Sequence, residues 1–470
     1  MNQFLKGEEW AREMFGGAEL GDTRRAERLV RLAGALADDA GASPAKASAT
    51  PADLEGAYRF LRNDAVEADG ITEAGCATTA RAVRRCETVL AIEDTTTLSY
   101  WHAVAEELGD LGGRETSRRR GYFVHSTVAV DAETGGTVGL LDQRYWLRET
   151  SQRGQRHERK QRPYESKESF KWQQTAERLR LLFAHEEMQK LISVCDREAD
   201  VYQYLHNKLG HGERFIVRAA RDRALKVESD NPEERYLFSA MVQAPSYGSV
   251  AVEVAQRGGR PARTATVTLR ALRLVLRRSS PVNGTPKSVE VNVVLAHEEK
   301  PAKGAEPLTW FLLTTEPIGN QKEVLKVLHY YRLRWRIEEF HKAWKSGAGV
   351  EERRLQAPDN IHRLAAILAF VAVRLLQLRE LAAEPAGAET ACSSILPTLH
   401  WKLLWLSVDK RKPLPETTPS VTWAFRALGR LGGWKDTKRT GRVGWEAIWD
   451  GWFRLQERLD GHYLARELNS

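Results

Sequence analysis

Val89-Leu-Ala-Ile-Glu-Asp94, which runs on into Thr95-Thr-Thr97, and Leu191-Ile-Ser-Val-Cys-Asp196, which runs on into Arg197-Glu-Ala-Asp200, share one design. Each is a short apolar run bounded by an acid, too short for a buried helix, and reads as a strand covered on both faces. The acid then emerges at the C-terminal end of its strand, where open α/β sheets place their ligands. Two such strands, with helical patterns around them, make the middle of the chain an α/β domain.

Working outward, residues 1–70 read as a helical, basic unit. Asp22 is a plausible N-cap, after which Leu29, Leu32 and Leu36 form an apolar stripe and Arg24, Arg28 and Arg31 recur on one face. In Glu55-Gly-Ala-Tyr-Arg-Phe-Leu-Arg62 the cations Arg59 and Arg62 alternate with Tyr58 and Phe60, the mixture that phosphate contact and base packing require. A solvated cationic face would look the same. Basic loops follow Asp94 at Arg118-Arg-Arg120 and from Gln152 to Lys171. From about 222 to 315 the chain turns β-rich: Val250, Val252 and Val254 alternate, and Thr264–Arg278 and Ser288–Ala296 read as extended segments, parted by Gly258-Gly259 and Pro281-Val-Asn-Gly284. Helices return from Lys322. The expected organisation is an N-terminal helical domain (1–70), an α/β domain (71–384) with the β-rich insertion, and a Trp-rich helical domain (385–470) in which Trp445, Trp449 and Trp452 have helical spacing.

Tyr330-Tyr331-Arg-Leu-Arg334-Trp-Arg-Ile-Glu338-Glu-Phe-His-Lys342-Ala-Trp-Lys345 carries the chemistry. At 3.6 residues per turn Tyr331, Arg334, Glu338 and Lys345 fall within about 60° of one helix face. A polar row facing water would show the same spacing. Combined with the two strand-end aspartates, however, the row supplies a third carboxylate. Three clustered carboxylates repel unless divalent cations neutralise them, and oxygen-only ligands suit Mg²⁺ or Mn²⁺. Two such ions at one site support in-line phosphoryl displacement.

The 470 residues carry 71 Lys and Arg against 63 Asp and Glu, a net +8. The modest basic excess favours a polyanionic partner without selecting one. A hydrophobic share of 42% excludes a largely disordered chain. The four cysteines, Cys76, Cys86, Cys195 and Cys392, lack zinc-site spacing, and a reducing, cytoplasmic setting is expected. Met1–Arg12 lacks a signal-peptide core, and Leu364–Val373, flanked by arginines, reads as a buried helix, so no membrane partner is expected. There is no H-E-x-x-H motif and no phosphate-binding G-x-x-x-x-G-K-[ST] loop. His125 and His341 read as structural or DNA-proximal rather than as metal ligands, and Cys195 as a small buried hydrophobe rather than a nucleophile.

Over essentially its whole length the sequence resembles the IS-four group of DDE transposases. The matching stretches are Leu20-Gly-Asp-Thr-Arg-Arg25, Glu55-Gly-Ala-Tyr-Arg-Phe60, Ala91-Ile-Glu-Asp-Thr-Thr96, Val124-His-Ser126, Val194-Cys-Asp-Arg-Glu-Ala-Asp200, Glu213-Arg-Phe-Ile-Val-Arg218, Leu312-Leu-Thr-Thr-Glu-Pro317 and Arg334–Lys345, with Tyr331, Arg334, Glu338 and Lys345 filling the group's Y-x2-R-x3-E-x6-K signature. The resemblance implies an RNase H-like catalytic core, a mixed sheet with flanking helices and a β-rich insertion, between an N-terminal helical DNA-binding domain and a C-terminal helical dimerisation domain. It implies that Asp94, Asp196 and Glu338 are the catalytic triad and ligands of two Mg²⁺ or Mn²⁺ ions. By the same resemblance Trp310 stacks on a flipped base, Arg218, Tyr331, Arg334, Lys342 and Lys345 contact transposon-end DNA, and Arg24, Arg28, Arg59 and Arg62 recognise the end. The implied activity is cut-and-paste transposition by a homodimer acting on transposon-end and target DNA, in a nucleoid-associated, cytoplasmic location. Two rivals share features with it. An RNase H-like nuclease would cut without joining, against which stand Trp310 and the full row. A non-catalytic end-binding regulator would have no use for three clustered carboxylates.

Overall fold

The structure is a computed structural model, which describes residues 7–39, 41–112, 119–148, 162–227, 234–254, 262–278, 287–437 and 443–468. Arg118, the basic stretch 152–161 and the turns at Gly258-Gly259 and Pro281–Gly284 lie outside the described residues.

Five helices open the chain: α1 (Gly7–Phe15), α2 (Thr23–Asp38), α3 (Pro44–Ala47), α4 (Pro51–Leu61) and α5 (Ala68–Val83). Asp22 caps α2 as expected, its side chain accepting from Arg24 N, and Leu29, Leu32 and Leu36 are buried. Next come β1 (Val89–Tyr100), the short β2 (Gly109–Asp110), β3 (Arg120–Asp131), β4 (Thr137–Trp146), α6 (Lys171–Leu182), α7 (His185–Met188), β5 (Leu191–Cys195), α8 (Tyr202–Gly210) and β6 (Arg214–Arg218). Antiparallel β4, β3 and β1 are followed in space by β5 and β6, both parallel to β1, which is the arrangement of an RNase H-like core.

The β-rich insertion adds α9 (Leu237–Gln243), β7 (Ser246–Val254), β8 (Arg263–Arg277), β9 (Ser288–His297) and β10 (Thr309–Thr314). Rather than forming a separate barrel, it prolongs the same sheet, because β10 pairs antiparallel with β6. The chain then forms α10 (Gln321–Leu333), α11 (Trp335–Lys342), a π-helical turn at Ala343–Gly347, and the long α12 (Pro358–Ala383). It ends in α13 (Pro385–Glu389), α14 (Thr398–Val408), α15 (Val421–Leu431) and α16 (Trp445–Leu468).

Strand alternation sorts the core. On β1, Val89 and Ala91 pack with Ala80 and Val83 of α5 and with Leu179 of α6, whereas Leu90 and Ile92 pack with Ile337 and Phe340 of α11 and the α12 core. Both faces are covered, so Val89–Ile92 are wholly buried and need no polar alternation. Each aliphatic side chain so buried contributes about 1.5–3 kcal/mol. α12 is long and apolar enough to cross a membrane by length and composition, but most of its apolar window is buried inside the fold, including Leu364–Val373. Its Phe370 ring fits only because Gly75 of α5 lacks a side chain, since a Cβ there would lie 2.3 Å from the ring.

Two buried arginines join the N-terminal helices to this core. Arg363 donates to the carbonyls of Val66 (2.6 Å) and Leu61 (2.9 Å), and Arg353 to that of Gly41 (2.9 Å). The C-terminal helices have a core of their own around Leu404, Ala424, Leu428, Leu455 and Leu459. They reach the N-terminal unit through Trp452 Nε1, 3.1 Å from Asp39 Oδ1, and Lys46, whose ammonium lies over Phe453.

Candidate active site

The register of β1 on β5 brings the first two acids together. Ile92 stands opposite Val194 and Glu93 opposite Cys195, so the next residues, Asp94 and Asp196, are neighbours. Both continue the even-numbered alternation of Leu90, Ile92, Ile192 and Val194, which faces α11 and α12. Asp196 stands just past the end of β5, as the sequence predicts. Asp94 does not end its strand: β1 continues to Tyr100, because Leu98 and Tyr100 are buried in the same core and β3 pairs with the whole length. The aspartate is therefore a mid-strand residue at the point where β5 stops.

Glu338 comes from α11, whose Ile337 and Phe340 anchor it in the core. The Arg334 guanidinium donates to Glu338 Oε1 at 2.7 Å. Asp94 accepts from the Thr95 N–H at 2.9 Å and Asp196 from the Glu198 N–H at 2.8 Å. Burial pushes the Asp94 carboxyl up to about 7, the negative charges of Asp196 and Glu338 push the same way, and Arg334 and the Thr95 N–H oppose them. Arg334 itself is held charged: burial works against it, and Tyr331, Glu338 and Asp94 outweigh that cost.

Around the acids stand Arg218 at the end of β6, Trp310 on β10 and Tyr331 at the end of α10. Trp310 packs edge-on against Tyr331 with ring centroids 5.2 Å apart, and is half-buried rather than core. Arg218 donates to the Thr309 carbonyl at 3.1 Å and interacts with the Tyr331 hydroxyl. Burial and the nearby cations Arg197 and Arg334 lower its guanidinium.

The single helix face expected for Tyr331, Arg334, Glu338 and Lys345 is modified. Arg334 is a helical joint between α10 and α11, and the π-turn at Ala343–Gly347 widens the helix before Lys345 is reached. Lys345 consequently has Glu351 (3.9 Å) and Arg119 as its charged neighbours. Glu351 in turn accepts from the Ser99 N–H at 2.7 Å, so Lys345 prolongs the row toward the far end of β1. Nothing in the sequence signals this link, since Glu351 and Ser99 meet only in the fold. Lys342 is exposed, its ammonium 5.1 Å from the Trp335 ring centroid, apart from the cluster.

The N-terminal cations divide. Arg24 and Arg59 are exposed beside local acids, Asp22 at 2.9 Å and Glu55 at 2.8 Å. Arg62 lies over the Tyr58 ring, but Phe60 is 3% exposed and belongs to the core, which removes it from base packing. Arg28 faces Asp53 at 3.8 Å and, with Arg31, lines a cleft of about 600 Å³ whose opposite wall includes His400 and Gln456 of the C-terminal helices. His125 is buried against Thr95 and Trp172, and Cys195 is fully buried 3.7 Å from the Tyr204 hydroxyl.

Among the described residues no three acids, histidines or cysteines converge into a ready-made metal cage, Glu338 being engaged by Arg334. The donor set nevertheless fits a hard divalent cation: it is all oxygen, and the repulsion from Asp196 and Glu338 that adds to burial in lifting Asp94 is what a cation between the carboxylates would relieve.

Two family models match the chain: Transposase DNA-binding over residues 7–66, and Transposase DDE domain over residues 137–374, just over half of the sequence. The first span contains Arg24, Arg28, Arg59 and Arg62. The second contains Asp196 and Glu338, the whole insertion, and Arg218, Trp310, Tyr331, Arg334, Lys342 and Lys345. Asp94 lies between the two spans, on the strand that pairs with β5.

Proposed function

The chain belongs to the family of DDE-domain transposases, and on that premise we propose that it performs cut-and-paste transposition with Asp94, Asp196 and Glu338 as its catalytic carboxylates. A DNA transposase with a divalent-metal-dependent DDE domain and a DNA-binding domain follows from the family itself. The stretches shared with the IS-four group support a finer place within it, near the transposase of transposon Tn-five. One observation carries the proposal: the β1–β5 register sets Asp94 beside Asp196, and α11 packs on β1 and β3 with Glu338 near enough to act on Asp94 electrostatically.

The cycle consists of four phosphoryl transfers at one site: hydrolysis of one strand at the transposon end, attack of the freed 3′-hydroxyl on the opposite strand to leave a hairpin, hydrolysis of that hairpin, and attack of the 3′-hydroxyl on target DNA. Asp94, Asp196 and Glu338 would hold the two divalent cations, Mg²⁺ or Mn²⁺, which supply activation of the attacking oxygen and stabilisation of the leaving one. Arg334 orients Glu338 through its 2.7 Å hydrogen bond and offers positive charge to the phosphate. Arg218 and Tyr331 are placed to hold the DNA backbone beside Asp196, and half-buried Trp310 offers a ring to a base turned out of the duplex. Lys342 and Lys345 extend phosphate contact along the helix. Arg24, Arg28, Arg59 and Arg62 read the transposon end. The exposed Tyr463, Leu464 and Leu468 on α16 support a C-terminal contact between two protomers.

The test is incubation of the purified protein with Mg²⁺, a plasmid and duplexes carrying the element's own ends. Joined products are expected. Cutting without joining would indicate a nuclease, and end binding with neither would indicate a regulator.

A further inference from the structure

Trp101, the first residue after β1, leaves 71% of its surface in water, the most of any aromatic side chain among the described residues. The Arg354 guanidinium lies 4.7 Å from its ring centroid, and His102 meets it edge-on at 6.2 Å. Arg354 makes no ion pair among the described residues, so its charge stays available while it stiffens the indole. The pair adjoins the cationic row: two residues back, the Ser99 N–H is held by Glu351, which also faces Lys345. An indole backed by a guanidinium is a surface on which a nucleobase stacks, with the cation directed at the neighbouring phosphate.

We propose that Trp101, backed by Arg354, is a stacking platform for a nucleobase of the bound DNA. The inference rests on the DNA-processing function above and adds a contact to it. Trp101 stands seven residues beyond Asp94 along extended strand, about 23 Å at strand rise. That span corresponds to about seven base steps of duplex from the reacting phosphate. The base comes either from the transposon end or from the DNA flanking it.

The experiment uses the full chain and duplexes that join the element's own end to flanking sequence, with 2-aminopurine placed at successive positions in either arm. Trp101→Ala is expected to weaken binding roughly tenfold to a hundredfold, with an unchanged salt slope because no cation is lost. It is also expected to abolish the emission change at one position, which Trp101→Phe restores. Arg354→Ala is expected to lower the salt slope by about one. A responsive position in the end arm assigns the platform to the transposon end, and one in the flanking arm assigns it to flanking DNA. Binding by Trp101→Ala within twofold of wild type, with emission unchanged at every position, overturns the inference and leaves the function intact. Failure of the wild-type chain to bind either arm overturns the function, and this inference with it.

Discussion

The two ends of the central sheet treat their acids in opposite ways. At the start of β6, Glu213 is paired with Lys208 at 2.8 Å and with Arg180, and Glu316 accepts twice from Arg214 at 2.8 and 2.6 Å. Those carboxylates are each paired with cations, and they hold α6, α8, β6 and the chain after β10 together. At the other end, Asp94 and Asp196 each accept one backbone N–H and face one another. Even within one motif the contrast holds: Asp200, four residues beyond Asp196, accepts from the N–H groups of Ala220 and Arg221 and from Arg223. A saturated acid stabilises a fold. An unsaturated pair costs stability and retains free oxygens for a ligand.

The sharpest way to break this contrast is to neutralise one acid at each end. Asp196→Asn is expected to reduce strand cleavage by a factor of about 10³ or more, since a metal-ligated site supplies several kcal/mol, while leaving the melting temperature at or above wild type. Glu213→Ala, measured by denaturant unfolding, is expected to lose about 3–5 kcal/mol by stranding buried Lys208, while the folded fraction keeps its cleavage rate. Burial raises the Glu213 carboxyl, but Lys208 and Arg180 outweigh it and hold it below its usual value. Its contribution is therefore present above the unfolded value near pH 4 and lost as the pH falls through the folded one, so the deficit of Glu213→Ala shrinks in acid.

A third acid acts on stability with the opposite sign and a smaller size. Asp142 on β4 accepts from Thr175, and burial lifts its carboxyl to about 6. Wild type then loses stability as the pH rises from the unfolded value near 4 through about 6. Asp142→Asn is expected to unfold on the order of 2 kcal/mol harder than wild type at pH 8 and no harder at pH 4.

Much of this was legible in the sequence. Two apolar runs bounded by Asp94 and Asp196 marked two strands, because strand alternation is a local property, whereas the RNase H-like sheet and the grouping of Glu338 with them came from the resemblance to DDE transposases. What was hidden depends on contacts between distant segments. β1 runs past Asp94 because β3 offers partners as far as Arg120. A π-turn redirects Lys345, Phe60 fills the core, and Arg28 faces a cleft walled by the C-terminal helices. Trp101 and Arg354 lie far apart in sequence and meet only across the fold.

The most direct test of the central claim, that Asp94, Asp196 and Glu338 form one metal site, needs no DNA: thermal unfolding with and without Mn²⁺. Saturating Mn²⁺ at about a hundred times its dissociation constant is expected to add roughly 2.7 kcal/mol to wild type, seen as a rise in melting temperature. Asp94→Asn, Asp196→Asn and Glu338→Gln are each expected to lose most of that rise. A full wild-type rise in Glu338→Gln would contradict the account.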